Sequence, residues 1–314
     1  TLPDFYFKAL QRELSSSNLP LIYKEFINDS VKRHNVLVRD QSILEDSVLE
    51  EIANNHFSKQ ILVICNTVDR ACEVYDQLSK RDTSVWLLHS RFTKMDRARL
   101  EKQIMDFTTS NECGIWVTTQ LVEASLDVDF DLLYTEMSTL DSQFQRYGRC
   151  NRKGLKPVDK ANIHVFTEDV SGISKHKSGG VYHRDIYDRS LALLKEHPGG
   201  LLLESVKQNM IKELYDERTL KNSSFKKEFD QTLEELKNRP HYDPDFKKGK
   251  AQELLRDIHQ VQAIPISFAK QEEFQEKLDE WQNAQTSQDK RRYRNKIEAY
   301  SVGVNKFRAE KVGL

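Results

Sequence analysis

Residues 61–78 read ILVICNTVDRACEVYDQL. The first five form an unbroken apolar run, short and rich in β-branched residues, as a strand buried on both faces of a parallel sheet requires. Asn66 and Thr67 interrupt it. From Thr67, a suitable N-cap, Ala71, Val74, Tyr75 and Leu78 recur at helical spacing along one face. A strand therefore passes through a two-residue polar tip directly into a helix. Working outward, VLV (36–38), VWLLH (85–89), GIWVTT (114–119), DLLYTE (131–136) and NIHVF (162–166) carry the same strand signature. Thr93, with Asp96 three residues on, opens a second helix whose Leu100, Ile104 and Phe107 share a face. This alternation predicts an α/β fold, a parallel sheet with helices on both faces joined by right-handed crossovers. Sheets of this kind keep their functional loops beyond the carboxyl ends of the strands.

Composition narrows the partners. Of 314 residues, 31% are charged, yet the net charge is only -1, so contact with nucleic acid has to come from a local groove. Cys65, Cys72, Cys113 and Cys150 show neither CxxC pairing nor histidines at zinc-finger spacing, which predicts reduced core or boundary thiols and no metal site. No apolar run reaches the roughly 18 residues that span a bilayer, and no signal peptide opens the chain, so a soluble cytoplasmic protein is expected.

After residue 170 the texture changes. SGISKHKSGG (171–180) reads as a connector. Charged helical patterns follow to the end, interrupted at NRPHYDPDF (238–246) and by the strand-like AIPISF (263–268). The basic run KRRYR (290–294) suits a solvated helix face or an extension of a strand path with Tyr293 as a stacking platform. Lys175, His176 and Lys177 allow the same two readings. There are no internal repeats.

DSQFQRYGRCNRKG (141–154) concentrates cationic groups. Asp141 or Ser142 can cap a helix, with Leu140, Phe144 and Tyr147 on its apolar side. Continued, that helix would align Gln145, Arg149 and Arg152 along another face. Planar guanidiniums, always charged, bind phosphate oxygens bidentately, although such a stripe also suits a wet helix face. Two strand tips add to it. ILVIC ends in Asn66-Thr67, and VTTQLVEASLDVDFD (117–131) places Thr118 and Thr119 at a strand's carboxyl end, with Asp127 eight residues after Thr119. LLHSRFTKMDR (87–97) repeats the design with His89, Ser90 and Arg91.

In this order the stretches resemble motifs IV, V and VI of the second RecA-like domain of superfamily 2 helicases. TTQLVEASLD is similar to motif V, and QRYGRCNR to the Q-R-x-G-R-x-x-R form of motif VI. The whole set over about residues 60 to 155 resembles the CRISPR-associated helicase-nuclease of type I systems. That resemblance implies an ATP-dependent translocase on single-stranded DNA. It implies Arg149 and Arg152 as arginine fingers at the γ-phosphate, Gln145 at the attacking water or γ-phosphate, and Asp127 on the ribose hydroxyl. Asn66, Thr67, Arg91, Thr118 and Thr119 would grip the strand backbone, and Arg146 would brace the motif against neighbouring carboxylates. Glu123 fits the family pattern without a role that its position explains. An RNA-guided surveillance complex and an HD nuclease domain are the implied partners. A DEAH-like RNA helicase shares the pattern EASL (123–126), and a non-catalytic binding module is the alternative of another class.

TLPDFYFKAL at the start resembles the end of motif III, with Thr1 closing its Ser-Ala-Thr. No GxxxxGK[ST] is present, Gly249-Lys250 being followed by Ala251, and no histidine is followed by aspartate. The expected organisation is a tail of the first RecA-like domain and linker (1–30), the second RecA-like domain (31–170), connector and linker helices (171–225) and a helical accessory domain (226–314). ATP and Mg²⁺ would be held mainly by the first RecA-like domain, and this chain alone would hydrolyse nothing.

Overall fold

Each of the six apolar runs forms a strand: β1 (Asn35–Ser42), β2 (Gln60–Ile64), β3 (Val85–Leu88), β4 (Gly114–Thr118), β5 (Leu132–Glu136) and β6 (Ile163–Glu168). The structure, a computed structural model, describes residues 4–14, 24–81, 84–174, 180–197, 199–237 and 260–305. Thr1 to Pro3, Lys175 to Lys177, the 238–246 stretch and Gly249-Lys250, each singled out in the sequence, lie outside them. The chain divides into two compact units, Thr1–Leu87 with Thr108–Pro240, and Leu88–Phe107 with His241–Leu314.

The first unit holds the sheet, ordered β3-β4-β2-β5-β6-β1, with β9 (Gly200–Leu201) antiparallel on the β1 edge. The β4, β2, β5, β6 and β1 pairings are parallel. β2 lies centrally and all five of its residues are buried, which explains why its sequence shows no alternation. One face packs Ile61, Val63, Ile115, Val117, Tyr134 and Phe166 with residues of α2 (Asp46–Asn55) and α3 (Val68–Ser79). Thr67 caps α3 as expected, its hydroxyl accepting from the Arg70 N–H at 3.2 Å. Beyond the sheet come α5 (Leu121–Ser125), α6 (Leu140–Tyr147), α7 (Arg184–Glu196), α8 (Glu204–Leu214), α9 (Glu217–Leu220) and α10 (Ser224–Lys237), with α6, α7 and α8 in mutual contact. The short parallel pair of β7 (Ile173–Ser174) and β8 (Tyr182–His183) follows the sheet in the chain. At the amino-terminal side, α1 (Asp4–Leu14) sets the Tyr6 ring edge-on to Tyr215 and Phe229 at 5.9 and 5.3 Å.

In the second unit, α4 (Lys94–Thr109) begins where predicted, with Thr93 accepting from the Asp96 N–H at 3.2 Å. Its first amides are further satisfied by the carbonyls of Ser301 and Ala299. A hairpin of β10 (Gln260–Ala263) and β11 (Val302–Asn305) accompanies α11 (Ile266–Ala269), α12 (Glu272–Gln282) and α13 (Ser287–Glu298). AIPISF is therefore not one strand: β10 ends at Ala263, and Pro265, at an N-cap position and unable to donate to a ladder, starts a helical turn. KRRYR lies on α13, where Lys290, Arg291, Arg292 and Arg294 are exposed. Cys65 and Cys150 are buried thiols, Cys72 partly so, and Cys113 is exposed. No described helix is long and apolar enough to cross a membrane.

Candidate active site

β4, β2 and β5 are neighbours, so their carboxyl ends bring Thr119, Asn66-Thr67 and Glu136 onto one rim. Asn66 does not face solvent there. It is 1% exposed, its Nδ2 donates to the carbonyls of Met137 and Ser171, and its backbone N–H donates to Glu136 at 2.6 Å. The Gln120 amide donates to its carbonyl at 2.6 Å. Asn66 thus fastens the tip from within, because an unpaired amide at a buried strand end would be costly. Thr118 and Thr119 are also buried, while Thr67 keeps partial exposure and donates to the Ser171 hydroxyl at 3.1 Å. Ser171 in turn donates its hydroxyl and its N–H to Glu136, both at 2.8 Å.

Arg146 occupies the middle of this assembly with no exposed surface. Nε donates to Glu123 at 2.8 Å; Nη1 donates to the Thr135 hydroxyl and the Glu136 carbonyl at 2.7 and 3.0 Å. Nη2 donates to Asn66 Oδ1 at 2.9 Å and the Tyr182 hydroxyl at 2.7 Å. All five guanidinium N–H groups are therefore used. Burial opposes the charge, but Tyr182, Glu123 and Glu136 more than offset it and raise the arginine's pKa. The brace expected of Arg146 is what the structure contains. Glu123 gains a physical role, taking both Arg146 and the Ser142 hydroxyl.

The helix bearing these groups is shorter than expected. α6 starts from Thr139 rather than Asp141 or Ser142 and ends at Tyr147, with Gly148 as its C-cap. Asp141 accepts from the Tyr215 hydroxyl at 3.0 Å, and Ser142 bonds Glu123, so neither side chain is left for capping. Past Gly148 the N–H groups of Arg149 and Cys150 bond three residues back, tightening the chain out of the α-helix. Asn151 then turns it with φ +45°, a left-handed conformation that asparagine tolerates. The loop is stitched to residue 130, the Phe130 N–H bonding the Arg149 carbonyl and the Asn151 N–H bonding the Phe130 carbonyl. Gln145, Arg149 and Arg152 consequently do not share a continuous helical face. Gln145 is exposed on α6.

The loop instead brings Arg149 and Arg152 to the segment after β4. Arg152 pairs with Asp127 at 3.1 Å, and its N–H donates to Asp129 at 2.8 Å. Arg149 is half-buried and donates Nη2 to the Glu123 carbonyl at 2.5 Å, while its buried Nε has no hydrogen-bond partner. Burial and then the charge of Arg152 push its pKa below the usual arginine value; Asp127 and Glu123 act the other way. A buried, unpartnered guanidinium donor beside a second arginine's charge makes this loop a candidate anion receptor. Arg91 is exposed in the second unit, its N–H bonding His89 Nδ1 at 3.1 Å. Among the described residues, no group of three histidine, cysteine or acidic side chains could hold a metal ion.

A seat under the loop escaped sequence reasoning. Lys207 Nζ donates to His34 Nδ1 at 2.6 Å, so the other ring nitrogen carries the proton and donates to the Cys150 carbonyl at 3.1 Å. Glu204 pairs with Lys207 at 2.7 Å and with Arg33 at 2.8 Å, and Asn151 Nδ2 donates to the Arg33 carbonyl at 3.0 Å. Asn151 alone carries a sequence signal, as a residue type that tolerates left-handed turns.

Residues 58–155 match the family described as CRISPR-associated nuclease/helicase Cas3, C-terminal. The CRISPR-associated nuclease/helicase Cas3 of Methanothermobacter thermautotrophicus is 30% identical over 74% of this chain and 28% of its own length. Among solved structures, T. fusca Cas3-ATP shares the fold with a TM-score of 0.63 at 20% identity, covering 93% of this chain and 38% of that one. A chain in a CRISPR RNA-guided surveillance complex, pre-nicking, does so at 0.56 and 21% identity, over 92% of this chain and 39% of that one. The chain thus spans well under half the length of each.

Proposed function

We propose, for a chain that is the C-terminal helicase region of the Cas3-type CRISPR-associated nuclease/helicases, that its Arg149–Arg152 loop completes an ATP site shared with a first RecA-like domain. Hydrolysis there would drive movement along single-stranded DNA in type I CRISPR interference. The observation that supports this reading most is the receptor itself: a buried Arg149 Nε without a partner beside the charge of Arg152, which is paired to Asp127. A polyphosphate offers the anionic oxygens that such donors match. Arg149 and Arg152 act as fingers on the γ-phosphate, a role worth on the order of 10³ to 10⁵ in rate. Gln145 orients the attacking water or the γ-phosphate, and Asp127 takes the ribose hydroxyl. Mg²⁺ would draw its ligands from the phosphates and the first RecA-like domain.

The strand grip is divided. Thr67, the least buried group of the β2 and β4 tips, and Arg91 offer contacts to backbone phosphates. Asn66, Thr118 and Thr119, buried, set the shape of the tips. Phosphate contacts are blind to sequence, as translocation requires. In this reading residues 1–30 end the first RecA-like domain, 31–170 form the second, 171–225 connect, and 226–314 are an accessory region. The full protein works in the cytoplasm with an RNA-guided surveillance complex and an HD nuclease domain.

In the full-length enzyme, Arg149→Ala and Arg152→Ala are expected to lower DNA-stimulated ATPase by at least about a hundredfold. Affinity for single-stranded DNA should stay within about threefold, since phosphate contacts by other residues carry it. Undiminished turnover in both variants overturns the finger assignment. The present chain alone is expected to show no turnover in the same assay, and stimulation by ribo- rather than deoxy-strands would favour an RNA helicase.

A further inference from the structure

Tyr182 lies outside every motif singled out in the sequence, yet it closes a ring of hydrogen bonds around Arg146. Ser142 Oγ donates its single proton to Glu123 at 2.7 Å. The 2.8 Å contact between the Ser142 and Tyr182 oxygens must then use the tyrosine proton. The tyrosine oxygen meanwhile accepts from Arg146 Nη2 at 2.7 Å, and Arg146 Nε returns to Glu123 at 2.8 Å. The guanidinium also sits 5.8 Å from the centre of the Tyr182 ring. Ten residues upstream, Gly172 accepts from the N–H groups of Val181 and Tyr182. Beside it, Ser171 accepts from Thr67 and donates to Glu136. Ser171 and Tyr182 thereby reach the β2 tip, the β5 end and α6 through their side chains.

We propose that Tyr182 is a positioning residue for nucleotide hydrolysis, holding α6 through Arg146 and Ser142 so that its orientation, and with it that of Arg149, follows the β2 tip. The inference rests on the reading of the Arg149–Arg152 loop given above. Arg146 Nη2 is divided between Asn66 and Tyr182, so the β2 tip and the Tyr182 hydroxyl share one rigid cation. A strand drawn against Thr67 would act on Ser171 and Glu136, and through Asn66 on Arg146. Without the tyrosine hydroxyl, Nη2 keeps Asn66 alone, and α6 is held to the strand ends by that bond and by the bonds of Arg146 Nη1 and Gln143 to the end of β5.

Tyr182→Phe keeps the ring and removes only the hydroxyl; Ser142→Ala opens the same ring from the other side. In the full-length enzyme both are expected to lower DNA-stimulated kcat by about tenfold or more, a loss typical of slight misplacement. The KM for ATP and the Kd for single-stranded DNA should move by less than about twofold, and the melting temperature by less than about 3 °C. The double variant should fall no further than the worse single one, because the two hydroxyls act in one ring. A stimulated kcat within about twofold of wild type in Tyr182→Phe overturns the proposal, as do losses that multiply in the double variant or that track the melting temperature. Arg149→Ala separates this from the parent reading: if it hydrolyses normally the finger assignment falls, whereas an inactive Arg149→Ala beside a normal Tyr182→Phe removes only the positioning role of Tyr182.

Discussion

Arg146, on the last turn of α6, finds an acceptor for each N–H, whereas Arg149, three residues on, keeps a buried Nε without one. Arg146 is enclosed by the Glu123 carboxylate, the Glu136 carbonyl, a tyrosine, a threonine and an asparagine, whereas Arg149 feels the charge of Arg152 on the same loop. The same side chain is structural where its donors are exhausted and available for chemistry where they are not. The contrast separates two layers of the rim, an inner one that fixes strand tips to α6 and an outer one that keeps a buried donor unpaired.

The sharpest way to break that contrast is to truncate the inner arginine. Arg146→Ala strands Glu123, Asn66 and Thr135 in a buried setting, and removing one partner of a buried pair costs about 3–5 kcal/mol. Chemical denaturation of this chain should show a loss of that size. A loss below about 1 kcal/mol would place Arg146 among the exposed, weakly coupled ion pairs and erase the distinction between the layers.

Much of the fold was legible in the sequence, and the reason is local. Strands β1 to β6 announce themselves as apolar runs, and Thr67 and Thr93 as caps, whereas the bracing role of Arg146 comes from the family resemblance. What stayed hidden depends on pairings between distant residues. At a strand tip a polar residue such as Asn66 looks available to a phosphate, but its partners Met137, Ser171 and Arg146 arrive from 71, 105 and 80 residues away. The early end of α6 is only hinted at by Gly148, since the pull comes from residue 130. Tyr182 and the His34–Lys207 seat left no periodic trace at all. Arg149, Arg152 and Asp127 entered by resemblance, and the fold does set Arg152 against Asp127.

The seat gives the outer layer a sensitivity to acid that Arg146 lacks. Burial, then Lys207 and Arg33, hold the His34 pKa well below its ordinary value, with Glu204 the carboxylate that balances the two cations. The folded chain therefore keeps His34 neutral while the unfolded chain takes up a proton as pH falls below about 6.5. Stability is unaffected above that pH and declines below it, by up to about 1.4 kcal/mol per pH unit for one proton. His164, pushed down to about 4 by burial, contributes over the same window, with Glu51 and Arg39 as its charged neighbours. The difference between wild type and His34→Gln isolates the seat. Denaturation midpoints from pH 7.5 to 5 should converge as the pH drops, and parallel curves would remove His34 from the acid response.

The smallest effect expected on stability belongs to Arg152. Its pair with Asp127 is open to solvent, the side chains being 43% and 83% exposed, so the Coulomb gain is screened and the ordering of two long side chains offsets it. Arg152→Ala should change the stability of this chain by less than about 1 kcal/mol, against several for Arg146→Ala. Set beside the ATPase loss expected in the full-length enzyme, that would give two arginines six positions apart with opposite profiles, one stabilising with no reach to ligand, the other reaching ligand at almost no cost to the fold. Equal stability losses in the two variants would mean that Arg152 is held as firmly as Arg146, and the outer layer would have no donors free for an anion.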